Sequence, residues 1–178
     1  MAVYFGDRPE WLNQALRSIM NQTLVPQEVI LVQDGEINFQ LIEIINKYKK
    51  KINLKHLILD NNSGLSKALN YGLKKTKFEL IARVDSDDIN VKNRFEIQYD
   101  YMSKNLDVAA LGTWISEFKD DPSAEKTVRK VPLRMDEIVQ FSKTRSPMNH
   151  PSIMFRKKDI LDVGCYDENL RNRQDHDL

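Results

Sequence analysis

The chain has 178 residues, 41% of them apolar, with 27 basic and 26 acidic side chains for a net charge of +1. Apolar residues spread along the whole length exclude a disordered chain, and the near-zero charge argues against binding nucleic acid through a global field. No apolar run approaches the roughly 20 residues of a membrane span. The first five residues are read as too short for a signal peptide. The one cysteine, Cys165, excludes an internal disulfide and a multi-cysteine zinc site. A lone thiol suits a reducing compartment, so a cytoplasmic setting is expected. The basic runs Lys47–Lys51 and Lys74–Lys77 close predicted helices, where cations complement the helix dipole. A membrane-surface patch is the weaker reading of both.

In chain order, Met1–Tyr4 reads as the tail of a strand clipped at its start. Asp7 offers a cap for a helix in which Trp11, Leu12, Ala15, Leu16, Ile19 and Met20 recur with helical period. Val29–Gln33 is a β-branched run ended by the turn signal Asp34-Gly35. Phe39, Leu41, Ile42, Ile45 and Tyr48 mark a second helix. Leu54–Leu59 is a strand, residues 60–64 a loop, and Leu65, Ala68, Leu69 and Leu73 a third helix. Leu80–Val84 is a further strand, followed at once by Asp85-Ser86-Asp87-Asp88. The order β-α-β-α-β-α-β predicts an α/β domain, with a mostly parallel central sheet and helices on both faces. Ligands in such sheets bind beyond the carboxyl ends of the strands. Four polar loops, at residues 4–7, 33–35, 60–64 and 85–88, fall on that edge.

The second half is less regular. A helix is predicted over residues 94–102 and strands over 108–114, with a continuation to 118, and over 126–131. A turn is expected at residues 120–123, a helix over 135–141, a strand over 153–155 and a short helix over 157–161. No repeat or linker interrupts the chain, so residues 1–178 are expected to form one domain. The chain ends in what reads as the opening of another helix.

Three carboxylates in the four residues Asp85 to Asp88 repel one another unless a cation or other partners compensate. On an extended backbone Asp85 and Asp87 point to the same side. Hard oxygen ligands at the end of a buried strand suit Mg²⁺ or Mn²⁺. Helix capping is the competing reading, strongest for Asp88. Asp34 is either part of a tight turn or a carboxylate accepting from a base or ribose. Ser63 is a simple cap, or the start of a helix whose N–H groups take a phosphate. Lys67 and Arg83 are phosphate partners or solvated charges. His150, in Asn149-His150-Pro151, is more often structural than a ligand. Asp175 is either a helix cap or a general base aimed into the pocket.

Taken together, Asp7-Arg8-Pro9-Glu10, Val29-Ile30-Leu31-Val32-Gln33-Asp34-Gly35, Asn62-Ser63-Gly64-Leu65-Ser66-Lys67, Ile81-Ala82-Arg83-Val84-Asp85-Ser86-Asp87-Asp88 and Gln174-Asp175-His176-Asp177 resemble the family-two inverting glycosyltransferases with the GT-A fold, of the bacterial surface-polysaccharide type. The segments occur in the family's order across essentially the whole chain. The resemblance implies that Asp34 recognises the nucleotide base, and that Asp85 and Asp87 form the metal and ribose motif, with Asp87 the direct ligand. It implies that Asp175 is the catalytic base and that Tyr4 and Glu10 lie on the nucleoside side. It further implies a divalent cofactor, Mn²⁺ or Mg²⁺, and a nucleotide-sugar donor, UDP-linked first. The implied acceptor is a saccharide or lipid-linked hydroxyl, which allows peripheral membrane association at the inner face. Gln33 stands where the family often has an acid, Gln174 replaces a glutamate and His176 a common aromatic. The acceptor-side helices are expected to be missing beyond residue 178.

Three other readings stand beside this one. A sugar nucleotidyltransferase would use the same carboxylates, but residues 4–9 hold one glycine where a glycine-rich phosphate loop is usual. A nucleotide-sugar-binding module would lack transfer activity. A calcium-stabilised scaffold would bind metal through Asp85–Asp88 without nucleotide.

Overall fold

The computed structural model of the chain describes residues 1–118 and 127–170. The first half alternates as expected: β1 (Ala2–Tyr4), α1 (Pro9–Met20), β2 (Val29–Asp34), α2 (Phe39–Lys49), β3 (Leu54–Leu59), α3 (Leu65–Lys75) and β4 (Leu80–Ala82). Then follow α4 (Arg94–Lys104), β5 (Ala110–Leu111), β6 (Ile115–Glu117), β7 (Thr127–Arg129), α5 (Met135–Ser142), a 3₁₀ turn (His150–Ser152), β8 (Met154–Arg156) and α6 (Lys157–Asp162).

Strands β1, β2 and β3 form a parallel sheet with β2 in the centre. Its register sets Tyr4 opposite Asp34 and Asp34 opposite Leu59, so the three carboxyl ends finish level. The helices form where apolar residues recur with helical period. Leu12, Leu16 and Ile19 of α1 and Leu41 and Ile45 of α2 are fully or almost fully buried with Leu31 of β2. Each such side chain contributes about 1.5–3 kcal/mol by leaving water. The Tyr48 hydroxyl donates to the Asn13 carbonyl at 3.1 Å, joining α2 to α1. Asn38 caps α2 by accepting from Leu41 N–H at 3.0 Å.

Two sequence expectations change here. The strand predicted over residues 80–84 is shorter, and it does not extend the parallel sheet. β4 pairs antiparallel with β8, which also pairs antiparallel with β5. A strand's partner depends on which distant edge reaches it, and residues 154–156 reach β4 from more than seventy positions away. The strand predicted over 108–114 and onward is divided into β5 and β6, and β6 forms a small hairpin sheet with β7. A second apolar cluster of Leu73, Ile153, Phe155 and Ile160 supports the antiparallel half. The predicted turn at 120–123 and the final helix lie outside the described residues.

Candidate active site

The acidic loop leaves β4 and does not enter a helix at once. Helix α4 begins only at Arg94, with Asn93 at its cap position, so Asp88 is not a helix cap. Asp85, Asp87 and Asp88 instead bring one carboxylate oxygen each within 4.8 Å of one another. Burial, and after it the Asp85 and Asp87 charges, raise the pKa of Asp88 to about 6. Asp87 is raised by burial and then by Asp85. These groups crowd like charges into one spot, and clustered oxygen donors are what a hard divalent cation takes.

Two arginines hold the loop from beneath. Arg83 is buried and pairs with both oxygens of Asp85 through its two terminal nitrogens. It is therefore not a solvated charge, and its Nε has no hydrogen-bond partner among the described residues. Arg94 is also buried. It donates from Nε to Gln98 at 2.9 Å, from Nη2 to the Arg83 carbonyl at 2.8 Å and the Ile153 carbonyl at 3.3 Å, and from Nη1 to Asn90. Burial lowers its pKa to about 10, so it remains charged at neutral pH.

The neighbouring loops converge on the same edge. Asp7 was read as the cap of α1, but the cap position is Arg8. One Asp7 oxygen accepts from Tyr4 N–H at 3.0 Å and from the Ser86 hydroxyl at 3.0 Å, tying the end of β1 to the acidic loop. Burial raises its pKa, with Asp87 and Asp85 adding to the rise. Sequence reasoning missed this role, although Asp7 stood inside one of the resemblance segments.

Asp34 is buried at the end of β2, and each of its oxygens accepts a backbone N–H, from Ser63 at 2.7 Å and from Gly64 at 2.9 Å. Ser63 therefore serves as an N–H donor to Asp34, and no side chain caps α3. Gly35 follows with φ of +80°, and a Cβ there would meet the Asn62 nitrogen at 2.6 Å. Only glycine fits that turn without moving the loop. Gln33 accepts from or donates to neighbours on both sides: its Oε1 lies 2.9 Å from His56 Nε2, and its amide donates to the Gly35 carbonyl at 2.8 Å.

Tyr4 lies at the rim and is 47% exposed. Glu10 and Lys67 are exposed in the first turns of α1 and α3. The structure thus brings Asp85, Asp87 and Arg83 together and adds Asp88 and Asp7 to them. It places Asp34 at the level of Tyr4 on the adjacent strand and leaves Glu10 and Lys67 at the periphery. Asp175 lies outside the described residues. His150 is buried with Nε2 2.9 Å from the Tyr166 hydroxyl, and burial lowers its pKa to about 3. It is a neutral structural residue.

A sheet of this kind with an acidic loop at its carboxyl edge defines the GT-A glycosyltransferase class. Solved structures agree at the level of the fold. TarS from S. aureus, residues 1–349 in complex with UDP-GlcNAc, superposes with a TM-score of 0.73 at 23% identity, covering 98% of this chain and 50% of that one. The mannosyltransferase PcManGT from Pyrobaculum calidifontis, in complex with GDP-Man and Mn²⁺, gives 0.70 at 12% identity, covering 99% and 49%.

The sequence profile of Glycosyl transferase family 2 matches residues 1–165, and the chain belongs to that family. Among its curated relatives is the UDP-Gal:alpha-D-GlcNAc-diphosphoundecaprenol beta-1,3-galactosyltransferase of Escherichia coli, 43% identical over 93% of this chain and 60% of that protein. Another is the amylovoran biosynthesis glycosyltransferase AmsE of Erwinia amylovora, 34% identical over 96% of this chain and 63% of its own length. The chain therefore spans a little over 60% of the length of these relatives. No helix among the described residues is long and apolar enough to cross a membrane.

Proposed function

We propose that this chain is the donor-binding part of a metal-dependent, inverting glycosyltransferase. It would move a hexosyl or N-acetylhexosaminyl group from a nucleotide diphosphate, UDP first, to a hydroxyl of a saccharide or lipid-linked acceptor. The observation that carries this reading is the convergence of Asp85, Asp87 and Asp88 beside the level ends of β1 and β2. Asp87 and Asp88 would hold Mn²⁺ or Mg²⁺, since Asp85 is already engaged by Arg83. The cation, when bound, supplies positive charge against the leaving nucleotide diphosphate.

The chain's own residues have separate tasks in this reading. Arg83 orients Asp85 toward the ribose. Asp34 holds the 61–64 loop, and its remaining lone pairs accept from the base. The exposed Tyr4 ring offers the base a face, with Glu10 nearby on α1. Lys67, in the first turn of α3, supplies a cation to the diphosphate. Asp175 takes the acceptor proton, and the pocket keeps donor and acceptor in line. The name of the Escherichia coli relative, with its UDP-galactose donor and diphosphoundecaprenol-linked acceptor, supports a UDP-hexose, a lipid-linked acceptor and a cytoplasmic site at the inner membrane face.

The test follows the melting temperature with UDP, GDP and dTDP, each with Mn²⁺ and with chelator. A ligand at 100 times its dissociation constant stabilises the folded state by about 2.7 kcal/mol. The expected result is a shift that requires both UDP and Mn²⁺ and disappears in Asp87→Ala. A shift with metal alone would instead indicate a scaffold cation, and the transferase reading would fall.

A further inference from the structure

The turn that follows β1 is closed from both directions. Asp7 N–H donates to the Tyr4 carbonyl at 3.1 Å, and Tyr4 N–H donates back to Asp7 Oδ2 at 3.0 Å. The Tyr4 ring folds over this turn, because a Cβ added to Gly6 would meet ring carbons and the hydroxyl at 2.6 Å. The conformation of residues 4–7 therefore sets where the ring stands.

The same Asp7 oxygen accepts from the Ser86 hydroxyl at 3.0 Å, across 79 positions of sequence. Ser86 is buried and lies between Asp85 and Asp87. Arg83 already fastens Asp85 from beneath. The bond to Asp7 is a second fastening, on the next residue and from the end of a different strand. Two adjacent fixed residues define the direction in which the chain presents Asp87. Among the described residues this is the one hydrogen bond between the 4–7 turn and the 85–88 loop. Asp7 is not one of the three carboxylates whose oxygens gather within 4.8 Å, so it acts on them through Ser86. A hydrogen bond to a carboxylate is roughly twice as strong as a neutral one, which suits it to hold a loop of mutually repelling charges.

We propose that Asp7 is a positioning residue of the donor site, whose one carboxylate oxygen fixes the span between the Tyr4 ring and the Asp85–Asp88 loop. The inference rests on the donor-site reading above, with the nucleoside against Tyr4 and the cation on Asp87 and Asp88. A nucleoside diphosphate held at both ends binds tightly only where the two grips stand at the separation of its base and its diphosphate. A span fixed before binding removes the entropy of ordering the loop from the binding step. Without the bond each grip survives, but their separation varies.

The experiment measures UDP binding by calorimetry in excess Mn²⁺, with the melting temperature followed in parallel. Asp7→Ala and Asp7→Asn both remove the charge, but only asparagine keeps an acceptor for Tyr4 and Ser86. Asp7→Asn should therefore bind UDP about tenfold more tightly than Asp7→Ala. Ser86→Ala, which changes no charge, should weaken binding by a similar factor in the parent chain and add nothing in the Asp7→Ala background. A purely structural Asp7 would lower the melting temperature and leave the affinity of the folded chain unchanged. Equal affinities for Asp7→Ala and Asp7→Asn, or full additivity of Ser86→Ala with Asp7→Ala, would overturn the proposal and leave the donor site standing. Ser86→Ala set against the parent keeps the test independent of how Asp7→Ala folds, and an unchanged affinity there would overturn the proposal as well. A parent chain that binds no UDP with Mn²⁺ would remove the donor-site reading and this inference together.

Discussion

Arg94 carries more of the site than its distance from the carboxylates suggests. Its guanidinium joins Asn90 and Gln98 to the carbonyls of Arg83 and Ile153, so it fastens the stem of the acidic loop to the strand region around β8. Arg94→Met would fill similar volume but take the donor from Asn90, Gln98 and the Arg83 carbonyl, while the Ile153 carbonyl keeps the Arg83 N–H at 2.8 Å. Buried groups left unpaired destabilise by about 1–3 kcal/mol each when water cannot reach them. Local relaxation should limit the total to about 3–4 kcal/mol, read as a lowered urea midpoint with unchanged slope. An unchanged midpoint would show that the loop is anchored elsewhere. Asp85 and Asp87 were legible in the sequence because a carboxylate cluster after an apolar strand is a local signal. Asp88 was legible as part of the same cluster, with capping as its competing reading, whereas Asp7 was read as a cap because its partner is distant. Asp7 reaches Ser86 across the sheet edge, which no local pattern encodes.

At the scale of the element, the loop from Asp85 to Asp88 is an electrostatic liability without a cation. The folded pKa of Asp88, about 6, lies above its ordinary 3.8, and Asp7 and Asp87 shift in the same direction. The folded state therefore binds more protons than the unfolded state between about pH 4 and pH 6, and stability falls as pH rises through that window. These three carboxylates add more stability toward urea at pH 4.5 than at pH 7, whereas His150, with a folded pKa of about 3 against its ordinary 6.5, acts in the opposite direction, so the crowding is read from the difference between the parent chain and Asp88→Asn. Asp88→Asn should remove part of the carboxylates' pH dependence by stabilising the chain at pH 7. Added Mn²⁺ should reverse the trend, because protons compete with the cation below pH 6. Urea midpoints at the two pH values, with and without Mn²⁺, check both signs. A midpoint for Asp88→Asn equal to the parent at pH 7 would contradict the crowding. The 33–35 element makes a similar point about reading. The Asp-Gly turn was visible in sequence, but that Asp34 holds the next loop through two N–H groups was not.

Over the whole molecule, stability is distributed unevenly. The cluster around α1, α2 and β2 gathers most of the fully buried side chains, while the antiparallel half rests on Leu73, Ile153, Phe155 and Ile160. Helix α5 buries none of its residues and β7 is exposed throughout. Hydrogen exchange should therefore run fastest in β6, β7 and α5, more slowly in β4 and β8, and slowest in β2, α1 and α2. Equal protection of β8 and β2 would show instead that the halves open as one cooperative unit.

The sequence by itself determined the alternation of strands and helices through residue 82, the acidic loop and the family, since hydrophobic period and ordered motifs are properties of neighbouring residues. Only the tertiary structure decided that β4 pairs with β8 and that Arg83 grips Asp85. Those outcomes depend on which distant edges meet. That is settled by loop closure and by the competing burial of whole faces, and neither leaves a periodic trace in the chain.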